Sequence, residues 1–553
     1  MIRNKKKYLI GLFIIIFIVT SVPLFGDFET TLTMKTDNTY AETLNYNDIL
    51  SYQITNGEII ITGCDREVIA LDIPDEIDGL PVTKLSADAF WRATNLEVVN
   101  IPYSVDIIEI FAFTSNLNLK EINVDEDNQN YTSIDGVLFN KKATELIHFP
   151  ANKSTIIYEV PETVKTIKIK SFSQSNVKSV QLPNDLMNIE QSAFMSSTQL
   201  ENITIHASVT NIGVYAFVGC SSLTDINVSR ESHSYTSIDG VLYTHDGTTL
   251  IQYPIGRTDT EYVIEDGTQI IGDGSFMNCS SITKITIPEG VVMLGPYSFE
   301  GTGLKSVTLP STVEVLGSCA FWKCINLYEV NLNDNLAEMG EAVFGLCESL
   351  KRIDIPNGIK FLELGAFIDC TSLEDVKLPN TLSDIGVGAF EGCTSLESIT
   401  IPDSTNVIFS LAFNNCTNLK DIYIPHYVKS IYEVAIGYQY NSSGMLELNP
   451  ITTIHGYDGT AAETYAIKNN VAFESRGEIP PPSGDLNRDG IVSPDELKKM
   501  TVTIFGKKAI NGATSISAKQ AQYADTNKDG VLNVFDVVNM KRNILNQSQN
   551  KPN

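Results

Sequence analysis

The chain has 553 residues, of which 39 are Lys or Arg and 67 are Asp or Glu, for a formal net charge of −28. That balance excludes a nucleic-acid partner, because a phosphate backbone is gripped by a basic footprint. It suits a soluble extracellular protein that handles divalent cations, and the length allows several domains or one long repeat array.

Arg3, Lys5, Lys6 and Lys7 precede an apolar stretch from Tyr8 to Phe25 that is interrupted by Pro23. A charged start followed by an apolar run reads as a secretory signal peptide over 1–26, and so as a secreted, extracellular protein. The run is long for such a segment, so an uncleaved N-terminal anchor, the one route to a membrane in this sequence, is the alternative. Residues 27–59 read as a polar spacer and N-terminal cap.

Phenylalanine then marks a period. It stands at 90, 113, 172, 194, 217, 276, 299, 321, 344, 367, 390 and 413, with gaps of 22 or 23 apart from two gaps of 59. Each long gap is one period plus 36 residues, and the two insertions, about 124–160 and 228–264, match at Tyr131-Thr-Ser-Ile-Asp-Gly-Val-Leu-Phe139 and Tyr235-Thr-Ser-Ile-Asp-Gly-Val-Leu-Tyr243. They lie 104 residues apart, as do Phe90 and Phe194, so a larger block is duplicated. Within a unit, trios such as Leu350/Ile353/Ile355 and Leu396/Ile399/Ile401 end in proline, which fits a bend entering a short strand. A coil of 23 residues cannot bury its own apolar face, but stacked coils share one core. Twelve such coils would span roughly 60 Å at the spacing of a parallel sheet. The insertions read as β-hairpins, with a turn at Thr244-His-Asp246-Gly247 in the second.

Of the nine cysteines, seven recur at one repeat position: Cys220, Cys279, Cys324, Cys347, Cys370, Cys393 and Cys416. An odd count at regular spacing reads as a column of buried small residues rather than a disulfide framework, although adjacent coils would bring thiols near one another. Trp91 and Trp322 both follow a repeat Phe; they are either sugar-stacking platforms or partly buried packing.

This pattern resembles the BspA-type leucine-rich repeat over about residues 60–447. The resemblance implies a mainly β fold, a curved solenoid of parallel stacked strands with a binding face. Residues 448–476 read as a strand, a glycine turn and a short helix that seal the array. Residues 477–483 form a proline-rich linker.

Two copies of one loop follow, starting 40 residues apart. Asp485, Asn487, Asp489, Ile491, Ser493 and Glu496 in the first, and Asp525, Asn527, Asp529, Val531, Asn533 and Asp536 in the second, occupy the ligand positions of an oxygen cage for Ca²⁺, with glycine at both sixth positions. Ile491 and Val531 would offer backbone carbonyls, and Ser493 would act through water. Each loop gathers three carboxylates that repel until a cation neutralises them, so two bound Ca²⁺ ions are expected to stabilise the fold. No helix can enter the first loop, because the proline linker precedes it. A helix leaves each loop, from Pro494 to about Phe505 and from Val534 to about Leu545.

This loop-then-helix duplication over 484–547 resembles the type I-like dockerin family, a small α-helical calcium-binding domain. The resemblance implies docking onto a cohesin module of a scaffoldin in a cellulosome, the setting of polysaccharide breakdown. The family's contact positions hold Pro494 and Asp495 in the first copy and Val534 and Phe535 in the second, with Lys541 and Arg542 farther along the helix. The two pairs differ chemically, so one dominant orientation is expected. Phe535 either anchors the partner or packs on its own domain.

The six histidines share no motif, and no nucleophile elbow or HExxH is present. The reading is a non-catalytic binding subunit that presents its repeat face to a protein, cell-surface or glycan ligand. A cellulosomal O-glycosyl hydrolase with an unrecognised site is the alternative, since paired glycosidase acids carry no sequence signature.

Overall fold

The computed structural model describes residues 43–479, 492–505 and 537–542. The segment read as a signal peptide lies outside them, and no described helix is long and apolar enough to cross a membrane. Contacts divide the chain into two units, residues up to 455 with 465–474, and residues 456–464 with 475 onwards.

The first unit is a mainly β solenoid in which a typical coil makes one strand of three or four residues and another of two. The longer strands pair in parallel with the next coil, as in Arg352↔Asp375, Ile353↔Val376 and Asp354↔Lys377. They correspond to the trios read from the sequence: Ile353 and Ile399 point inward and are buried, while Arg352, Asp354, Ser398 and Thr400 face out. The two-residue strands form a second parallel ladder, for example Phe361–Leu362 on Asp384–Ile385 and then on Val407–Ile408. A third column of backbone bonds runs through the phenylalanine turn. The N–H groups of Phe321, Phe344, Phe367 and Phe390 donate to carbonyls of Val343, Ala366, Ala389 and Ala412 one coil on, at 2.8–2.9 Å. Three hydrogen-bonded sides per coil leave few backbone groups to be buried unpaired.

The core is a column of stacked rings. From Phe299 to Phe344, and from Phe367 to Phe413, successive centroids lie 5.3 Å apart and interplanar angles are 6–8°. The strand spacing of a parallel sheet sets that distance. Offset stacking adds about 0.5–1.5 kcal/mol per pair to the burial.

The insertions belong to the array. In each, an antiparallel meander is built around a two-residue turn, and its third strand pairs in parallel with the next coil, Glu145–His148 with Thr166–Ile167 and Thr249–Gln252 with Ile270–Ile271. Asp135 and Gly136 have φ of 49° and 70°, and Asp239 and Gly240 have 48° and 77°, the left-handed pair that a tight hairpin needs. The N-terminus uses the same device. Strands Leu44–Tyr46, Leu50–Thr55 and Glu58–Cys64 form a meander whose last strand pairs in parallel with Leu80–Leu85.

Two matched contacts hold each insertion down. The Tyr131 and Tyr235 hydroxyls accept the N–H groups of Ile108 and Ile212 at 2.9 and 2.7 Å, where the short ladder is interrupted. Lys153 pairs with Asp135, and Arg257 with Asp239 and Asp259. At the C-terminal end, Tyr465 does the same service for Ile436 N–H at 2.9 Å. The end region holds strand Thr453–Gly456, helix Ala461–Asn469 and strand Ala472–Ser475. A hairpin of Tyr438–Tyr440 and Leu446–Leu448 precedes them, which the sequence reading did not include.

Among the described residues of the second unit, helix Pro494–Phe505 occupies the range read from the sequence, and 537–542 are helical.

Candidate binding face and calcium module

Alternation along each three-residue strand decides what the solenoid shows to solvent. The middle residue is buried, so its neighbours must face out. On the coils from Tyr328 to Pro402 these neighbours line a concavity of about 1080 Å³. Its floor carries Glu329 and Asn331, then Arg352 and Asp354, Asp375 and Lys377, and Ser398 and Thr400. Both signs of charge are present. Arg352 bridges Asp354 at 3.1 Å and Asp375 at 3.5 Å, but exposed pairs of this kind hold little energy and exchange readily for a ligand. Tyr328, 51% exposed, offers an aromatic surface at the edge. Such a surface recognises by hydrogen bonds and charge, with a ring for stacking.

The tryptophans separate. Trp322 lies over Gly345, where an added Cβ would meet its ring at 2.2 Å and Ile368 at 2.9 Å, and is partly buried against the apolar cluster that holds Ile368. Trp91 is 38% exposed, with the Arg92 guanidinium 4.3 Å from its ring centroid. One coil position therefore serves packing in one coil and exposure in another.

The cysteine column has a physical reason that sequence spacing did not reveal. The thiols of Cys220, Cys324, Cys347, Cys370, Cys393 and Cys416 donate to the carbonyl of the phenylalanine one coil back, at 3.0–3.2 Å. Ser197 and Asn116 make the same bond to Phe172 and Phe90. The position calls for a short donor, and cysteine is the one that also packs as a small hydrophobe. All nine thiols are free, and burial pushes those of Cys220 and Cys324 up to about 12, which leaves little reactive thiolate.

Five carboxyls among the described residues, Asp273, Glu300, Glu363, Asp369 and Glu391, are displaced upward by burial, Glu300 and Glu391 the most. Glu391 is raised to about 7, with its Oε1 accepting from Asn414 Nδ2 at 2.7 Å and from the Tyr440 hydroxyl at 3.1 Å. Glu300 is also raised to about 7, partly offset by nearby Lys323. Raised carboxyls are a mark of general acids, so the pair bears on the hydrolase alternative. Asp369, one coil before Glu391, is also raised by burial, and its charge adds to the rise at Glu391.

Of the candidate calcium ligands, Ser493 and Glu496 are described, and Asp485, Asn487, Asp489, Ile491, Asp525, Asn527, Asp529, Val531, Asn533 and Asp536 lie outside the described residues. Ser493 Oγ accepts the Glu496 N–H at 3.3 Å, and Glu496 Oε2 accepts the Ser493 N–H at 2.7 Å. This reciprocal capping box starts helix Pro494–Phe505 and holds the buried twelfth-position carboxylate at the end of the loop. The donor set is all oxygen and rich in carboxylate, which fits a hard cation such as Ca²⁺. Of the candidate partner contacts, Pro494, Asp495, Lys541 and Arg542 are exposed on helical segments, and Asp495 pairs with Lys498 at 3.0 Å. Val534 and Phe535 lie outside the described residues.

Several solved structures align with this chain at low identity. A leucine-rich repeat protein from Bacteroides ovatus aligns at 23% identity over 78% of this chain and 99% of its own, with a TM-score of 0.41. One from Eubacterium ventriosum aligns at 19% over 72% and 94%, with a TM-score of 0.41. The pneumococcal vaccine antigen PcpA aligns at 19% over 79% and 98%, with a TM-score of 0.39. No curated protein matches. The family model described as BspA type leucine rich repeat region matches residues 83–159, 152–244, 258–371 and 343–457, together more than half of the sequence. The chain belongs to the BspA-type leucine-rich repeat family.

Proposed function

We propose that this protein is a secreted, non-catalytic binding subunit with two working ends. The paired loops take up two Ca²⁺ ions and dock onto a cohesin module of a scaffoldin. The outward face of the longer strands grips a protein, cell-surface or glycan ligand in the setting of polysaccharide breakdown. The observation that carries the docking half is the repeated ligand code, with the same spacing and the same glycine in both loops. Helix Pro494–Phe505, started by its capping box at the end of the first loop, supports it. The concavity over coils 328–402 supports the binding half. Asp485, Asn487, Asp489, Ser493 and Glu496, and their counterparts in the second loop, would hold the ions. Bound Ca²⁺ would neutralise three clustered carboxylates per loop and fix the helices in a docking geometry.

Calorimetry of the full chain against cohesin modules tests the reading. Binding is expected in Ca²⁺ and lost in chelator. The double substitution Asp525→Ala/Asp529→Ala is expected to weaken docking by at least a thousandfold, about 4 kcal/mol. Affinity that survives chelation, or no binding to any cohesin tried, would sink the docking half.

A further inference from the structure

The duplicated insertions share a backbone and differ at two matched places. In the first, Gln129 and Lys141 flank the start and the turn of the meander; in the second, 104 residues on, the same places hold His233 and His245. The backbone bond that joins these places recurs, Lys141 N–H to Asn130 O at 2.7 Å and His245 N–H to Ser234 O at 3.0 Å. The two imidazoles are exposed, with ring centroids 6.0 Å apart and planes at 71°. Two imidazoles sharing one metal, each with a ring nitrogen about 2.0–2.1 Å away, have centroids about 4.5 Å apart at a right-angled site and about 5.2 Å apart at a tetrahedral one. The observed spacing is somewhat wider, so rotation of the two exposed side chains, with the backbone in place, would bring both rings onto one ion.

The chain around the pair is held from both sides. The Ser232 hydroxyl accepts the N–H groups of Ser234 and Tyr235 at 3.4 and 3.2 Å, which fixes the segment that carries His233. Asp246 Oδ1 accepts from Thr244 Oγ1, Thr248 N and Thr248 Oγ1 at 2.7–3.1 Å, which fixes the turn that carries His245. That carboxylate oxygen is committed to its turn, so the pair itself is the donor set, with further positions left to water. Among the described residues no group of three or more His, Cys, Asp or Glu side chains is placed to hold a metal ion, so the two imidazoles would be the only protein donors.

We propose that His233 and His245 form a surface chelate for a borderline transition cation, Zn²⁺, Ni²⁺ or Cu²⁺, present in the second insertion and absent from the first. Imidazole nitrogen selects these ions over Ca²⁺, which takes oxygen donors, so the site is chemically separate from the C-terminal loops. Two rings on a fixed hairpin bind more tightly than either alone, because capture by the first raises the local concentration of the second.

The test uses untagged full-length protein in excess Ca²⁺. Titration with Ni²⁺ is expected to show one site of micromolar affinity. Cu²⁺ electron paramagnetic resonance is expected to show hyperfine coupling to two nitrogens. His233→Gln and His245→Lys, which restore the residues of the first insertion, should each weaken Ni²⁺ at least tenfold and leave circular dichroism unchanged, since both side chains are exposed. Conversely, Gln129→His/Lys141→His should raise the stoichiometry to two. Wild-type affinity in the His233→Gln/His245→Lys double variant would overturn the assignment. So would a loss confined to one of the two single variants, or a stoichiometry that stays at one in the converse variant.

Discussion

The repeat array is held by what it buries, whereas the C-terminal loop pair gathers charge that must be neutralised from outside. In the array, each coil adds a phenylalanine to a ring column, a strand to each of two ladders and a short donor to the phenylalanine carbonyl. Every added coil presents the surface that the next one covers, so stability accrues through neighbour contacts. The loops place three carboxylates each on a short chain with little apolar residue to bury. The difference teaches where each region would be vulnerable: the array to a cavity and, on the proposed reading, the loops to loss of a cation.

The sharpest way to break this contrast is Phe344→Ala. Phe344 is fully buried between Phe321 and Phe367, with centroids at 5.3 and 5.7 Å, so truncation should cost about 3–5 kcal/mol in denaturant unfolding monitored by circular dichroism. Ca²⁺-dependent binding to cohesin should be unchanged. Loss of docking in this variant would show that the two regions are one cooperative body.

A smaller effect sharpens the array's side. The folded pKa of Glu391, about 7, lies above its ordinary value of 4.5, so the stability linked to it is complete below the ordinary value and is lost as pH rises through the folded one. The shift corresponds to no more than about 3 kcal/mol. Glu391→Gln should therefore flatten the stability profile between pH 5 and pH 8, with its relative gain at the alkaline end. An unchanged slope would mean that this buried carboxyl is not the group that titrates.

The smallest effect concerns the loops. Ser493→Ala removes one half of the capping box and should cost about 1 kcal/mol of helix stability. If Ser493 also serves the ion through water, the variant should lose Ca²⁺ affinity while the unfolding of the array stays at its wild-type midpoint. A shift in the array's midpoint would contradict the separation.

Much of the array is legible in the sequence because phenylalanine reports most coils, with Tyr253 in its place beside Phe276, and because a Leu-x-x-Ile-x-Ile-Pro pattern recurs at many of the longer strands. The two-residue ladder is not, since Asp384–Ile385 or Phe361–Leu362 is too short to show a period. The insertions announced themselves as copies, yet their attachment was hidden. The 104-residue offset that aligns Tyr131 with Tyr235 also sets Asp135 against Asp239 and Lys153 against Arg257, and this charge match could have flagged the clamp. The hairpin Tyr438–Tyr440/Leu446–Leu448 carried a signal that could have found it, the five-residue loop Asn441-Ser-Ser-Gly444-Met445 with glycine at φ 73°. For the calcium loops, the ligand code was the whole of the signal, and the structure adds the capping box at Ser493 and Glu496.

What the sequence determined by itself is the period, the duplication and the residue pattern from which the calcium proposal is drawn, because each is a matter of residue type at fixed spacing. The tertiary structure alone decided which side of each strand faces out, why cysteine recurs where it does, and that His233 and His245 meet across a turn. Those are relations between residues far apart in the chain or across a fold of the backbone, and spacing along a line carries no information about distance in space until the coils are stacked.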